Sequence, residues 1–527
     1  VTERLVLNGR DVAIPAGGGS LLDLLRAEGL RSAKDGCAPQ GQCGCCTVLV
    51  DGAPRVACVT PARRVAGRHV ETLEGLDPEV VEDWSRAFLA CGASQCGFCT
   101  PGIVVRLEGL RRRAAGRISS DEEVRRALAA HLCRCTGWQT IVEAAVTVGD
   151  VERAAGASRD LEAASRRATL ELGAPQRVDP AVVRGEAGFS SDTAPADCLV
   201  AVPGRDGEWV VGADRAEARA LVGSVQGRRT TVAAVAPLEL PDGEFAARLR
   251  TGWVDPAYLE PDASWCEPGG DPSPAAANGG AFGAKRRSPV PAAARRLADE
   301  YDRPVLAVWS REDCARHSPK RPPVAGGARP DGTGVLRVVR TPGVAEAVAA
   351  VASGLVVEEL DVPGPPTSAA LRAAGWAEAV MLLAAAGASN EVVEVHDGEV
   401  RVSPPGGGTA RVAVVDGGLR VAVRAGDPLD EVVLRSYCVG AAHMGLSWVT
   451  SESLAVGPDG EVLDLTIRSF GVLRALDTPP IHVVLEADDG EPRPVSAAVF
   501  AATAAAVWLH QGAPVELPTR RPLSGPG

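Results

Sequence analysis

Ten of the 14 cysteines fall at positions 37, 43, 45, 46, 58, 91, 96, 99, 133 and 135, and the other four (198, 266, 314, 438) are scattered through the rest of the 527 residues. Clustered thiols bind metal or form disulfides. A disulfide framework belongs to an exported chain. Residues 1–14, however, alternate polar and apolar side chains around Asn8-Gly9, a hairpin pattern rather than an export signal. No apolar run reaches the ~18 residues that span a bilayer, and the Ala-rich stretch 495–509 reads as a buried helix. The expectation is a cytoplasmic, metal-binding chain with no membrane partner.

The first group is Cys37-x5-Cys43-x2-Cys46-x11-Cys58, in a glycine-rich loop between a short helix (Ser20, Leu21, Leu22, Leu25) and a strand at 47–50 turned by Asp51-Gly52. Three cysteines ahead of a strand and a fourth beyond it form the plant-type [2Fe–2S] arrangement, in which glycines let backbone N–H groups approach the sulfides. The usual first gap is four residues, so this loop must bulge by one. Spacing assigns Cys46 as ligand and Cys45 as bystander. The second group is Cys96-x2-Cys99 with Cys133-x-Cys135. Thr100 can cap a helix with Pro101 in its first turn, Ser120-x-x-Glu123 is a capping box for a second, and residues 141–148 suggest a third. Both pairs then sit at helix ends, where packed helices present four thiolates to one cluster. Zinc is the alternative in both places, although C-x-C pairs are uncommon there.

These residues carry a resemblance. Residues 1–150, with GCAPQGQCGCC, Cys58, QCGFCTPG and CRCTGW, closely resemble the iron–sulfur part of the molybdenum hydroxylases, the xanthine dehydrogenase/aldehyde oxidase family. The resemblance implies an α+β multidomain fold. Residues 1–76 would form a β-grasp, ferredoxin-like [2Fe–2S] domain and 77–150 a helical [2Fe–2S] domain. A linker would cover 151–183, a small α/β (hammerhead-like) domain 184–235, and a shortened α/β molybdopterin-binding region 236–527. It also implies that Gln95 and Cys135 touch the pterin. Gly279-Gly280-Ala281-Phe282-Gly283-Ala-Lys285 matches the family's GGxFGxK loop, whose backbone approaches the molybdenum ligands. Arg372 falls in an RGxGxxE-like loop as a pterin contact, with Ala373 where the family has glycine. Glu260 matches a substrate-facing acid. Glu491, in Gly-Glu-Pro ahead of an Ala-rich helix, matches the catalytic base, although Asp488-Asp489-Gly490 is also an ordinary turn. Residues 451–466 resemble a late strand region.

The implied activity is hydroxylation or dehydrogenation of an aldehyde or N-heterocycle. The cofactors would be two [2Fe–2S] clusters and molybdopterin, with or without a nucleotide. The sequence contains no convincing G-x-G-x-x-G unit, so FAD is expected only on a separate flavoprotein, or another acceptor takes the electrons. The arginine that marks purine substrates is replaced by Leu306, which argues against xanthine. No Gly-Gln-Gly-type loop is present, and the shortened second half leaves an alternative: a non-hydroxylating relative serving as an electron-transfer module or scaffold. A homodimer is compatible with either. Lys+Arg 55 against Asp+Glu 67 gives a net charge of -12, which argues against nucleic acid as the main partner. Lys285-Arg286-Arg287 and Lys320-Arg321 read mostly as solvated faces, and His443-Met444 as core. The polar stretch 150–184 reads as a solvated connector.

Overall fold

The computed structural model describes residues 3–149, 159–204, 207–223, 229–274 and 280–523. The chain opens on a five-stranded mixed sheet. Arg4–Leu7 pairs antiparallel with Arg10–Ala13 and parallel with His69–Glu71, while Thr47–Val50 joins His69–Glu71 to Ala53–Val56. The helix Leu21–Ala27 is started by a reciprocal Ser20/Asp23 capping box and buries Leu21, Leu22, Leu24 and Leu25. Helices follow at Pro78–Cys91, Thr100–Arg113, Asp121–Ala127 and Gln139–Thr147. Thr100 is not the cap. Cys99 takes the N-cap place without a side-chain bond, and Thr100 Oγ1 instead lies 3.0 Å from Ser94 Oγ. Ser120 does cap its helix, but Glu123 turns back to Ser119, so only half of the box forms.

Residues 159–183 are not a bare connector. Leu161–Leu172 is a helix capped by Asp160, and it buries both Arg167 and Glu171. Composition hid this because the two charges satisfy each other inside (Nη2–Oε1). Residues 150–158 of the expected linker lie outside the described residues. The four-stranded sheet beyond it, ordered Trp209–Gly212, Leu199–Pro203, Val305–Val308, Ala263–Cys266, takes strands from both sides of residue 235. The late region 451–466 contains only an isolated Val456–Val462 bridge in place of a strand.

Two further five-stranded sheets frame the second half. One contains Ala247–Thr251, Val324–Ala328, Gly334–Val339, Leu355–Leu360 and Glu516–Leu517. The other contains Val393–His396, Glu399–Val402, Thr409–Val415, Gly418–Arg424 and Ile481–Leu485. Three apolar helices, Trp376–Ala386, Glu431–Thr450 and Ser496–His510, pack on one another and on these sheets. With aromatics at only 4%, close approach of small residues carries much of this packing, beside one Trp448–Phe500 stack at 5.4 Å. A Cβ on Gly445 would meet Phe500 O at 2.7 Å, and one on Gly440 would meet Cys135 O at 1.7 Å. Glycine at 440 therefore lets the Glu431–Thr450 helix lie against the second cysteine group. None of the described helices is long and apolar enough to cross a membrane.

Two outcomes follow from this packing. Gly440→Ala should destabilise the protein by about 1–3 kcal/mol in urea unfolding, because its methyl group overpacks a rigid carbonyl. His443 lies fully buried in the same helix, and burial, aided by the charge of Arg134, pushes its pKa down to about 3. The unfolded chain binds that proton below about pH 6.5 and the folded chain does not, so stability is lost as pH falls from 6.5 toward 3. Unfolding free energies measured between pH 6 and 4 should drop by about 1.4 kcal/mol per unit from this group, and His443→Leu should remove that part of the slope.

Candidate functional site

All eight cysteines assigned by spacing are buried. In the first group the Cys37 sulfur accepts from the amides of Gln42 and Cys43, each at 3.3 Å, and the Cys46 sulfur accepts from Cys58 N at 3.4 Å. The thiols of Cys43 and Cys58 also donate to Cys37 and pull its pKa well down. In the second group Cys135 Sγ lies 3.6 Å from Cys96 Sγ, and Cys99 donates to Cys133, whose thiol is drawn down to about 6. Thr136 Oγ1 lies 3.1 Å from the same sulfur. The second group meets as two pairs, and among the described residues no three metal-binding side chains converge on one point. Two thiolates per iron is the ligand arrangement of a two-iron cluster, and N–H···S bonds are its usual outer shell. The residues present fit that group. Cys45 is buried beside Cys43 and within electrostatic reach of Cys96, which puts it between the two quartets. The loop Gly44–Cys45 can lie this close to the second group because a Cβ on Gly102 would meet Gly44 O at 2.5 Å.

Beyond Cys135 lies a small cavity of about 40 Å³ walled by Phe282, Met444, Trp448 and Phe500, with Arg134, Arg321 and Arg372 as cations in its lining. The glycine loop reaches it from the side of the cysteines. A Cβ on Gly280 would sit 2.8 Å from Cys135 Sγ, and one on Gly283 would sit 1.9 Å from Ala370 O. Ala281 and Phe282 line the wall, while Gly279 lies outside the described residues. Arg372 lies with its guanidinium 4.1 Å over the Phe282 ring. Its guanidinium donates to Ser496 Oγ at 3.3 Å and to Met444 Sδ at 3.9 Å. No carboxylate bonds to it among the described residues, and burial lowers its pKa to about 10. A buried cation without a carboxylate partner fits an anionic ligand such as a pterin phosphate. The void itself holds only about three waters, too few for a larger group as it stands.

Several residues missing from the sequence reading build this site. Arg321 forms a bidentate pair with Glu378 (2.7 Å twice), donates to Arg372 O and Ala373 O, and stacks 4.1 Å over Trp448. It thereby fixes the loop that presents Arg372. Ala373 itself has φ of 53°, the left-handed conformation that explains why glycine is expected there. Arg134, between two cysteines, is paired with buried Glu452. Asp255 lines the cavity, accepts from Ala257 N through Oδ1, and is ion-paired through Oδ2 with Lys320 Nζ at 3.1 Å. Lys320 and Arg321 are therefore interior ion-pair partners and not a solvated face; adjacent basic residues gave no signal of the carboxylates awaiting them. Arg286 and Arg287 are exposed.

Other expected residues lie elsewhere. Glu491 is exposed in a turn outside the cavity. Asp488 ties that turn down by accepting from Gly426 N, Gly490 N and Arg493, and Gly426 lies against the Glu491 carbonyl. The acid at the start of the Ser496–His510 helix is instead Glu171, which accepts from Val495 N and Ser496 N. Glu260 is held 2.8 Å from Lys285 Nζ, with its pKa raised to about 7 by burial against that pairing, and it does not line the cavity. Gln95 turns its amide to Ser436 O and Oγ, each at 3.1 Å, on the Glu431–Thr450 helix. Leu306 packs with Val200, Val202 and Val308 in the core of the four-stranded sheet, so its identity gives no information about substrate.

The [2Fe-2S] binding domain family model matches residues 72–146. The xanthine dehydrogenase iron-sulfur-binding subunit of Escherichia coli O157:H7 is 39% identical over 155 residues, covering 29% of this chain and 95% of that protein. The aldehyde oxidoreductase of Megalodesulfovibrio gigas is 41% identical over 147 residues, covering 27% of this chain and 16% of that one. In fold, the chain resembles the crystal structure of the aldehyde oxidoreductase from Desulfovibrio desulfuricans, with a TM-score of 0.69 at 16% identity over 96% of this chain and 97% of that one. The chain belongs to the molybdenum hydroxylase family of oxidoreductases.

Proposed function

We propose that the protein oxidises a small aldehyde or N-heterocycle, with Cys37, Cys43, Cys46 and Cys58 holding one [2Fe–2S] cluster and Cys96, Cys99, Cys133 and Cys135 the other. Arg372, Cys135 and the backbone of Gly280–Gly283 would hold molybdopterin. The single observation that carries this reading is a buried guanidinium to which no carboxylate bonds among the described residues, set next to a thiol of the second quartet. When bound, molybdopterin supplies two-electron oxidation at an electron-poor carbon, and iron–sulfur clusters carry electrons one at a time.

The chain's own residues set the conditions for that chemistry. Phe282, Trp448 and Phe500 give the cavity an apolar wall that excludes water, with their faces held by Arg372, by Arg321 and by the Trp448–Phe500 stack. Asp255 is the proton acceptor in this reading: its carboxylate, ion-paired through Oδ2 with Lys320, stands at the cavity wall while Glu491 faces solvent. Arg321 positions Arg372 and does not itself meet substrate. The electrons leave to a separate protein carrying FAD or to another acceptor; the relative named as an iron-sulfur-binding subunit supports a divided enzyme. The small void favours a second reading, an electron-transfer module without hydroxylation.

Steady-state oxidation of a panel of aldehydes and N-heterocycles with a dye acceptor tests the base. Asp255→Asn should lower kcat by ~10²-fold or more, with Glu491→Gln unchanged; the reverse pattern would return the role to Glu491. Arg372→Ala should purify with both iron–sulfur signals but with its molybdenum and pterin content reduced at least several-fold. Unchanged pterin content would remove Arg372 from the site. Cys96→Ser should abolish one of two iron–sulfur EPR signals, and retention of both would refute the ligand set.

A further inference from the structure

A second cavity, of about 380 Å³, opens on the far side of the first quartet, and Cys58 forms part of its wall. Its volume is that of a small-ligand site, and it is ten times roomier than the space beside Arg372. Val202, Val308 and Trp309 supply an apolar wall from the four-stranded sheet, opposite Ala38 and Pro39 of the cysteine loop. Asp23, Glu312 and Asp313 stand around it. The one guanidinium among its described lining residues, Arg219, is paired with Asp35 at 3.1 Å. Three carboxylates and a neutralised cation disfavour an anion, so nucleotide-bearing acceptors and ferricyanide are poor fits. A flat, uncharged ring fits the walls.

We propose that this cavity binds a small neutral quinone and that electrons leave the Cys37/Cys43/Cys46/Cys58 centre directly to it. The proposal rests on those cysteines holding a cluster, as argued above, and it adds an outlet for electrons that needs no flavoprotein. Each quinone takes two electrons, delivered singly, and two protons; both carbonyl oxygens become hydroxyls and the substrate oxidation supplies the electrons. Glu312 is the buried acid in the wall. It accepts from Gln40 Nε2 at 2.8 Å, and burial raises its pKa; the two protons come from solvent.

Menadione serves as the probe, with the full-length protein. Equilibrium dialysis against the oxidised protein should show one menadione bound per chain. Ala216→Trp should abolish this binding, because Ala216 is exposed yet lines the cavity; Ala220→Trp, exposed on the same helix and outside it, should not. Dithionite-reduced protein mixed anaerobically with menadione should reoxidise at a rate that saturates with menadione concentration. Ala216→Trp should slow that rate at least tenfold and leave reoxidation by ferricyanide unchanged. A linear, unsaturable dependence, or equal rates in the two variants, would overturn the proposal. An EPR spectrum lacking the ferredoxin-type signal would overturn the cluster assignment instead, and dialysis would still decide whether the cavity binds the quinone.

Discussion

Arg134 sits between two cysteines, and the rest of the site depends on where its charge goes. Its guanidinium makes two bonds to Glu452, at 2.5 and 2.8 Å, and a third to Pro256 O at 3.0 Å. Both partners belong to the second half of the chain and lie at the cavity. Each ion is almost wholly removed from water, so neither tolerates loss of the other: breaking such a pair costs about 3–5 kcal/mol. The Cys133–Cys135 turn is thus anchored to the segments that carry Asp255 and the end of the Glu431–Thr450 helix. Gly440 completes the contact by giving the Cys135 carbonyl room.

The same device recurs around this join. Arg321 with Glu378, Lys320 with Asp255, Lys285 with Glu260 and Arg167 with Glu171 are all buried ion pairs. A core built of alanine and valine packs closely but directs little. Charge pairs in that medium are satisfied in few arrangements, and those of Arg321 and Lys320 fix segments that line the cavity. The first quartet is fastened in a similar way. Gln40 bridges Glu312 and Leu465 O, Arg468 grips Gln42 O, and Arg311 donates to Gly36 O and Leu259 O. The bulged cysteine loop therefore also serves as a clasp between the two halves.

The cysteine spacing pointed to two groups of thiols, and the fold buries all eight and brings members of each group together. The cap at Ser120 was legible locally, whereas Thr100 yields the N-cap place to Cys99. The second half was less so. Glu491 stands at the expected distance before its helix, yet a three-way hold by Asp488 turns the loop outward, and nothing in a Gly-Glu-Pro string encodes that. Glu171 reaches the same helix from over 300 residues away, from a stretch whose composition resembles a connector. Lys320 and Arg321 show the general difficulty: a buried cation reads as a solvated one until its carboxylate is placed in space. The quartets were encoded locally, and the cavity is assembled from residues far apart in sequence.

Iron and molybdenum counted together on protein purified without oxygen test the central claim most directly, that two iron–sulfur centres stand beside a working pterin site. The account predicts about four iron atoms and about one molybdenum per chain. Four iron atoms with no molybdenum, in a host that loads the metal into a control enzyme, would contradict it and leave the second half as a scaffold for an electron-transfer protein.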